Sequence, residues 1–422
     1  MSVYGLLSLS LSLPHCANYK RPNSAFLCSV GSAMSQSKQL SSEHLPYDVV
    51  FDILTRLPVK SLVRFRCVSK SWNSIITSPD FITTHMNRPK SLSHNNNDFL
   101  LYTPPSEDRF NFYVHNLCID AQNLCIDVCN SDRTLTHIST FQLPFSAHMV
   151  GFCNGMFCLR NHRYNVLYLW NPSIRKFKMI STPVDSSVPV AIGLAYHSQN
   201  NDFKILKMSC FRVSKEYEAE DEDEVYTLST DSWRRVVISL GSIDFITPSP
   251  GLFCNGALHF IAWSGRGQFI FSFDVNDERF REIMLPQNYD DDILELTIHS
   301  LAVFKGSLAL FVCGDGEGLV SDTYYIWVMR EYGVVESWTK ISLPLDSVKN
   351  FFGWTDSGEL LVDIKDRGLV SYDPVSLNEN NLGIQSPRWV SYTADLMENL
   401  VLLNQVKCHL NMKISLMKFL AK

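Results

Sequence analysis

The sequence has 422 residues, of which 45% are hydrophobic and 19% are charged. A chain of this length and composition can bury sizeable cores in two or three domains, which excludes a chain that is disordered as a whole. Seven acidic side chains and no basic one fall in the stretch 216–224, and they account for the formal net charge of −6. The remainder is close to neutral, which excludes a general nucleic-acid binder.

The cysteines and the apolar runs indicate the cellular environment. Twelve cysteines lie scattered between Cys16 and Cys408 without the spacing of a disulfide framework, so we expect reduced and mostly buried thiols. The apolar runs 5–13 and 399–403 are much shorter than the roughly 20 residues that cross a bilayer. We therefore expect no membrane span and no bound membrane, and a cytoplasmic or nuclear location.

The first segment, residues 1–44, contains eleven serines and a single acid, Glu43. We interpret this segment as a disordered leader, with Met34 as a possible alternative start of translation. Its serine-rich and acid-poor composition leaves a targeting segment as the open alternative.

Residues 45–88 carry the strongest helical pattern. After Leu45 and Pro46, apolar residues recur at Val49, Ile53 and Leu57, which is the spacing of one helical stripe. Pro58 ends this first helix, and further helices are predicted over 60–66 and 69–77, with Ser69 as the N-cap of the third. Few residues are available for a free-standing core. The module therefore either docks on a partner or caps the domain that follows.

Residues 89–98 form a polar linker, and short apolar strands separated by turn residues follow it. Five pairs of hairpin-turn residues recur at intervals of about 50 positions, the spacing of a repeat architecture. These pairs are Asn154-Gly155, Asn201-Asp202, Asn255-Gly256, Lys305-Gly306 and Ser357-Gly358.

A second hairpin in most repeats leads into a strand that begins with an aromatic and a basic residue. Four strands per repeat and a period near 50 predict a kelch-like β-propeller of about six blades over residues 99–385, followed by a C-terminal segment 386–422. A β-sandwich is the alternative. The predicted fold class is thus an α+β multidomain protein with an N-terminal three-helix module and an all-β propeller.

The segment from Leu45 to His85, LPYDVVFDILTRLPVKSLVRFRCVSKSWNSIITSPDFITTH, strongly resembles an F-box. Downstream stretches resemble the kelch-like, F-box-associated domain of plant F-box proteins. They are LWNPSIRKF (169–177), IGLAYHSQNNDFKIL (192–206), CNGALHF (254–260) and YIWVMREYGVVESWTKI (325–341).

This resemblance implies a substrate-recognition subunit of a Skp-cullin-F-box ubiquitin ligase. In that family the F-box binds a Skp-type adaptor, which links it to a cullin, and the downstream domain captures a protein substrate. The resemblance implies no catalytic residue, cofactor or metal, and its alternatives are a non-degradative scaffold and a β-propeller enzyme. By position, the implied adaptor contacts are Leu45, Pro46, Ile53, Leu57, Pro58, Leu62, Val68 and Trp72.

Other motifs give weaker indications of a site. The duplicated NLCID at 116–120 and 123–127 brings Cys118, Cys125 and Cys129 close in sequence, but the spacing does not fit zinc. A propeller hydrolase would need paired carboxylates, for which Asp274, Asp363 and Asp373 are candidates, although all three also fit turns. Isolated histidines such as His148, His197 and His259 are expected to be structural.

The acidic run 216–224 is predicted to be a solvated loop between strands, with a contact for a basic substrate as the alternative. The other loops carry no recognisable binding motif, so the substrate is not identified by the sequence. They are 91–98, 103–110, 181–188, 287–292 and 314–321.

Overall fold

The computed structural model describes most of the chain between residues 45 and 404. The described ranges are 45–88, 98–104, 121–130, 133–161, 166–182, 189–210, 223–238, 243–248, 250–286, 298–314, 323–355, 357–393 and 398–404. The predicted leader, most of the linker, Cys118 and most of the acidic run lie outside them. No helix within the described ranges is long and apolar enough to cross a membrane.

The N-terminal module contains four helices, one more than predicted. They are α1 (Tyr47–Thr55), α2 (Val59–Phe65), α3 (Lys70–Thr77) and α4 (Pro79–Met86). Ser69 caps α3 as predicted, since its side chain accepts a hydrogen bond from the Trp72 amide. The additional helix has the same start signals, because Ser78 caps it and Pro79 occupies its first turn, where a missing N–H costs nothing.

The rest of the structure is a propeller of six antiparallel blades, which confirms the predicted fold and blade number. Blades 1 and 2 share one seven-stranded sheet because strand β3 belongs to both. Six strands of this sheet follow one another along the chain. They are β1 (Asp98–Thr103), β2 (Ala121–Cys129), β3 (Leu135–Cys153), β4 (Met156–Asn161), β5 (Val166–Asn171) and β6 (Lys176–Ser181).

The next blades each form a sheet of their own. Blade 3 consists of β7 (Val190–His197), β8 (Asp202–Ser209), β9 (Glu224–Thr227) and β10 (Ser232–Arg235). Blade 4 consists of β11 (Phe245–Ile246), β12 (Leu252–Cys254), β13 (Ala257–Ser264), β14 (Gly267–Asp274) and β15 (Phe280–Met284).

Blades 5 and 6 have the same four-stranded order. Blade 5 consists of β16 (Ile298–Phe304), β17 (Ser307–Gly314), β18 (Thr323–Met329) and β19 (Trp338–Leu343). Blade 6 consists of β20 (Val348–Trp354), β21 (Leu360–Ile364), β22 (Gly368–Tyr372) and β23 (Glu379–Asn381).

The ring closes when the last strand, β24 (Trp389–Thr393), pairs with β1 and becomes the first strand of blade 1. Blade 1 therefore combines one strand from the C-terminal part of the chain with three from the N-terminal part. The sequence pattern predicted that the propeller ends at residue 385. That position precedes β24, the last strand of the ring. Closure of this kind ties the two ends of the propeller together within one blade, and the edges that a propeller leaves are short and protected.

Three of the five predicted turn pairs have the backbone conformation of a tight hairpin, whereas Asp202 of the pair Asn201-Asp202 already belongs to β8. Both turn residues have positive φ at Asn154-Gly155, Asn255-Gly256 and Lys305-Gly306, as in a type I′ turn. Asn201 and Gly358 also have positive φ.

The aromatic residues of the second hairpins lie on outer strands and contact the preceding blade. Trp233 of β10 donates its indole N–H to the Ser181 carbonyl at 2.9 Å, and Trp338 of β19 donates to the Met284 carbonyl at 3.1 Å. Both carbonyls lie in the outer strand of the preceding blade, so these tryptophans connect neighbouring blades.

Because consecutive strands are antiparallel, the turns of each blade alternate between two ends of the ring. The turns β3–β4, β5–β6 and β7–β8 lie at one end, which we call the near end. Met86 of α4 packs into the core that blades 2 and 3 share. The Asn87 side chain donates to that of Asn201, in the β7–β8 turn, at 2.7 Å. The helices are therefore attached at the near end.

Candidate functional site

The helical module exposes an unusual number of apolar side chains. Five of the twelve exposed large hydrophobic residues in the described part of the chain fall between Leu45 and Val68. We call four of these residues the apolar patch: Tyr47, Val49, Val63 and Val68, which are 59%, 43%, 36% and 61% exposed. Apolar surface concentrated in this way is typical of a binding site for another protein.

The predicted adaptor contacts differ in their exposure. Leu45, Pro46 and Pro58 are exposed, as is Val68 of the apolar patch. Three others are half-buried: Ile53, Leu57 and Trp72. Trp72 also packs edge-to-face on Phe65, with ring centroids 5.4 Å apart.

Leu62 differs from the other predicted contacts because it has no exposed surface and lies in the core of the module. Its neighbour Val63 is on the exposed side of α2 instead. Leu62 thus supports the surface from beneath. The hydrophobic pattern placed an apolar face on this helix, but only the packing shows which side of the helix is covered.

Basic side chains border the apolar patch. Lys60 is exposed on α2 three positions before Val63, on the same side of the helix, and Arg64 is exposed four positions after Lys60. Arg56 of α1 is also exposed, and it forms an ion pair with Asp52 at 2.8 Å. Two exposed basic side chains of this region therefore lie on α2, whereas the charge of Arg56 is offset within α1.

The turn between α1 and α2, which carries Leu57 and Pro58, is held by two side chains from distant parts of the sequence. The His85 ring nitrogen Nε2 is 3.0 Å from the Leu57 carbonyl, so Nε2 carries the proton and donates it. The Glu398 carboxylate accepts a hydrogen bond from the Val59 amide at 2.8 Å. Pro58, at the N-cap of α2, supplies no side-chain cap, so Glu398 takes that role.

At the opposite, far end of the propeller, several strands that follow one another in sequence are separated by long intervals. Strands end there before residues 105–120, 162–165, 183–188, 211–222, 239–242, 287–297 and 315–322, which lie outside the described residues. Near-end connections are mostly tight hairpins. Long loops on a rigid scaffold are where binding residues concentrate, which makes the far end a second candidate surface.

The carboxylates considered for hydrolysis are separate from one another. Asp274 accepts hydrogen bonds from the amides of Asn276 and Asp277, and Asp373 accepts them from the Val375 amide and the Ser376 hydroxyl. Both carboxylates thus stabilise turns, as the sequence allowed. Asp363 lies buried in β21, and burial raises the pKa of its carboxyl group.

The cysteines and histidines within the described ranges do not cluster as metal ligands would. No group of three or more His, Cys, Asp or Glu side chains in these ranges could hold a metal ion. Seven of the cysteines in the described ranges form no disulfide, and five of these seven are buried. Burial raises the pKa of the Cys153 and Cys158 thiols far above the usual range, so both remain protonated, as the sequence predicted for buried thiols.

The described end of the acidic run is buried. Asp223 is 1% exposed and its carboxylate accepts a hydrogen bond from the Ser209 amide, while Glu224 begins β9. The predicted solvated loop is therefore wrong for these two residues, because they join the sheet of blade 3. The earlier acidic residues lie outside the described ranges.

Four short helices with an exposed apolar patch, attached to a six-bladed propeller, define an F-box protein with a propeller as its second domain. Comparison with known families agrees. Residues 42–84 match the F-box domain, and residues 112–372, more than half of the chain, match the F-box associated beta propeller domain. The chain belongs to this family of plant F-box proteins.

Individual relatives are similar over most of their length. F-box protein At3g07870 of Arabidopsis thaliana is 30% identical, over 79% of this chain and 85% of that protein. F-box/kelch-repeat protein At3g23880 and F-box protein CPR1, both of Arabidopsis thaliana, are each 27% identical, over 73% and 84% of this chain and 81% and 87% of those proteins. Neither matching domain is a catalytic one.

Proposed function

We propose that this protein is the substrate receptor of a Skp-cullin-F-box ubiquitin ligase. The observation that carries the proposal is the apolar patch on the helical module, bordered by Lys60 and Arg64. A compact set of aliphatic and aromatic side chains with a basic rim suits a partner that is apolar at its centre and acidic around it. A Skp-type adaptor is the partner that the family membership favours.

The protein would act by position, without catalytic residues or a cofactor of its own. Adaptor and cullin would bind at the near end, and a protein substrate would bind at the far end. Holding a substrate lysine close to the charged ubiquitin carrier raises its effective concentration, which accelerates transfer without any new chemistry. Free cysteines fit a reducing compartment, so we place this activity in the cytoplasm or nucleus.

Substitutions in the apolar patch test the adaptor interaction. Val68→Glu changes an exposed side chain, so the fold should be retained. A carboxylate there would be desolvated against the partner, and we expect at least tenfold weaker binding of a purified Skp-type adaptor in titration calorimetry. Leu57→Ala with Pro58→Ala should likewise abolish adaptor pull-down with the propeller still folded.

The matched control is Val375→Glu, which places the same charge on a 91% exposed valine in a turn of blade 6. It should bind the adaptor like the wild-type protein. If Val68→Glu and Val375→Glu bind equally well, the apolar patch is not the adaptor site. If the wild-type protein binds adaptor and cullin but supports no ubiquitin transfer to a captured protein, it is a scaffold and not a receptor.

A further inference from the structure

A short C-terminal segment, residues 398–404, lies between the helical module and the propeller, and we call it the strap. Its side chains alternate in direction. Leu400 and Leu403 enter the core of the helical module, whereas Leu402 enters the core that blades 2 and 3 share. The strap thus belongs to both domains.

The strap supplies a large part of the helical core. Two of the eight fully packed hydrophobic residues in this core, Leu400 and Leu403, come from the strap, and they are 0% and 4% exposed. Short helices of this size bury too little surface to be stable unaided. Removing these two leucines would leave a cavity in the core to which all four helices contribute.

Polar contacts anchor the strap to the propeller. Asn399 is fully buried; its amide nitrogen donates to the Asn154 carbonyl at 2.8 Å, and its oxygen accepts from the Asn171 side chain at 2.6 Å. The Lys176 ammonium donates to the Leu402 and Leu403 carbonyls. Asn154 lies in the β3–β4 turn, and Asn171 and Lys176 flank the β5–β6 turn of blade 2, so the strap is fixed to the near end.

Polar contacts at both ends of the strap reach the helices. Asn404 donates to the Thr77 carbonyl at the end of α3 at 2.6 Å. At its other end, Glu398 accepts the Val59 amide hydrogen across 339 positions of sequence. Glu398 therefore binds the first residue of α2, immediately after the Leu57-Pro58 turn that carries two of the predicted adaptor contacts.

We infer that the strap is a second, discontinuous part of the adaptor-binding module, and that Glu398, Leu400 and Leu403 are positioning residues for the Leu57-Pro58 turn. The inference rests on the proposed function and adds that adaptor affinity depends on the C-terminal part of the chain. The physical reason is a population effect. If the turn is held in its binding conformation only part of the time, the apparent affinity falls in proportion to that fraction.

The experiment uses the full chain and a purified Skp-type adaptor, with affinity measured by titration calorimetry. Leu400→Ala combined with Leu403→Ala should weaken adaptor binding at least tenfold. Leu377→Ala, which truncates a 58% exposed leucine in blade 6, is the control and should bind like wild type. Intrinsic tryptophan fluorescence reports separately that the propeller remains folded.

A milder variant covers the case in which the double substitution prevents folding. Glu398→Ala removes only the acceptor for the Val59 amide, so exchange of that amide hydrogen should accelerate and adaptor affinity should fall about threefold to tenfold. Glu398→Gln retains an oxygen acceptor and should restore most of both. A side chain needed only for propeller stability would leave amide exchange at Val59 unchanged.

The outcomes separate the two proposals. If wild type binds the adaptor and all strap variants bind as Leu377→Ala does, the role of the strap is overturned while the proposed function stands. If wild type itself does not bind a Skp-type adaptor, the proposed function fails, and the strap inference fails with it.

Discussion

Two buried histidines show how polar side chains in the interior of this protein are hydrogen-bonded. His259 is fully buried in β13, where its ring contacts the Leu252 carbonyl and, at 2.7 Å, the Tyr332 hydroxyl. Burial lowers its pKa to about 4. His197 is also buried and accepts a hydrogen bond from the Asn200 amide. The structural roles predicted for these two histidines are confirmed.

The lowered pKa of His259 predicts how stability depends on pH. The unfolded chain binds a proton near pH 6.5, whereas the folded protein binds one only near pH 4. The neutral, buried His259 therefore makes its full contribution to the free energy of unfolding above pH 6.5, and this contribution is lost as the pH falls towards 4. This residue alone should lower the free energy of unfolding by about 2 kcal/mol between pH 7 and pH 5.

Urea unfolding of wild type and His259→Gln at both pH values measures this contribution. The difference in stability between pH 7 and pH 5 should be smaller in the variant, since glutamine does not titrate. Equal pH dependence in the two proteins would contradict the assignment.

Elements meet most closely where the inner strands of neighbouring blades approach one another. Gly151 of β3, in blade 2, lies against Leu194 of β7, in blade 3. A Cβ atom at Gly151 would stand 2.8 Å from the Leu194 Cβ and 3.1 Å from its amide nitrogen. Neither atom can move without displacing the strand, so this contact requires glycine.

Gly151→Ala should consequently destabilise the propeller by about 1–3 kcal/mol, the usual cost of overpacking a core. Urea unfolding monitored by tryptophan fluorescence measures the loss. Gly265→Ala is the matched control, because no atom lies within 4 Å of the position that its Cβ would occupy. Equal unfolding midpoints for the two variants would show that blades 2 and 3 can separate without cost.

The whole molecule separates its two candidate surfaces. The helical module is attached at the near end, while the strands that flank the longest sequence intervals end at the far end. Val68→Glu provides a trap, because a receptor that cannot bind the adaptor should still hold its substrate. A protein that it captures from cells, and that accumulates in wild-type cells only when the proteasome is inhibited, is the expected substrate.

With that substrate purified, the affinity of the wild-type protein should change less than twofold when a saturating concentration of Skp-type adaptor is added. The physical reason is that the two ligands would contact opposite ends of one rigid ring. Competition between them in a fluorescence-anisotropy titration would place the substrate at the near end instead.

The sequence by itself determined the two modules, a blade number of about six and most of the turns. These features depend on local chemistry: helical spacing of apolar residues, a serine cap, and Asn-Gly pairs that accept positive φ. The fourth helix carried the same local signals at Ser78 and Pro79, and it could have been predicted.

Only the tertiary structure decided which residues those elements bury. It placed Leu62 in the core and Val63 at the surface, closed the ring with β24, and joined Glu398 to Val59. Periodicity describes neighbours along the chain, whereas each of these outcomes depends on packing between segments that are far apart in it. For that reason the apolar run 399–403 gave no sign of its role until the helices that it supports were in place.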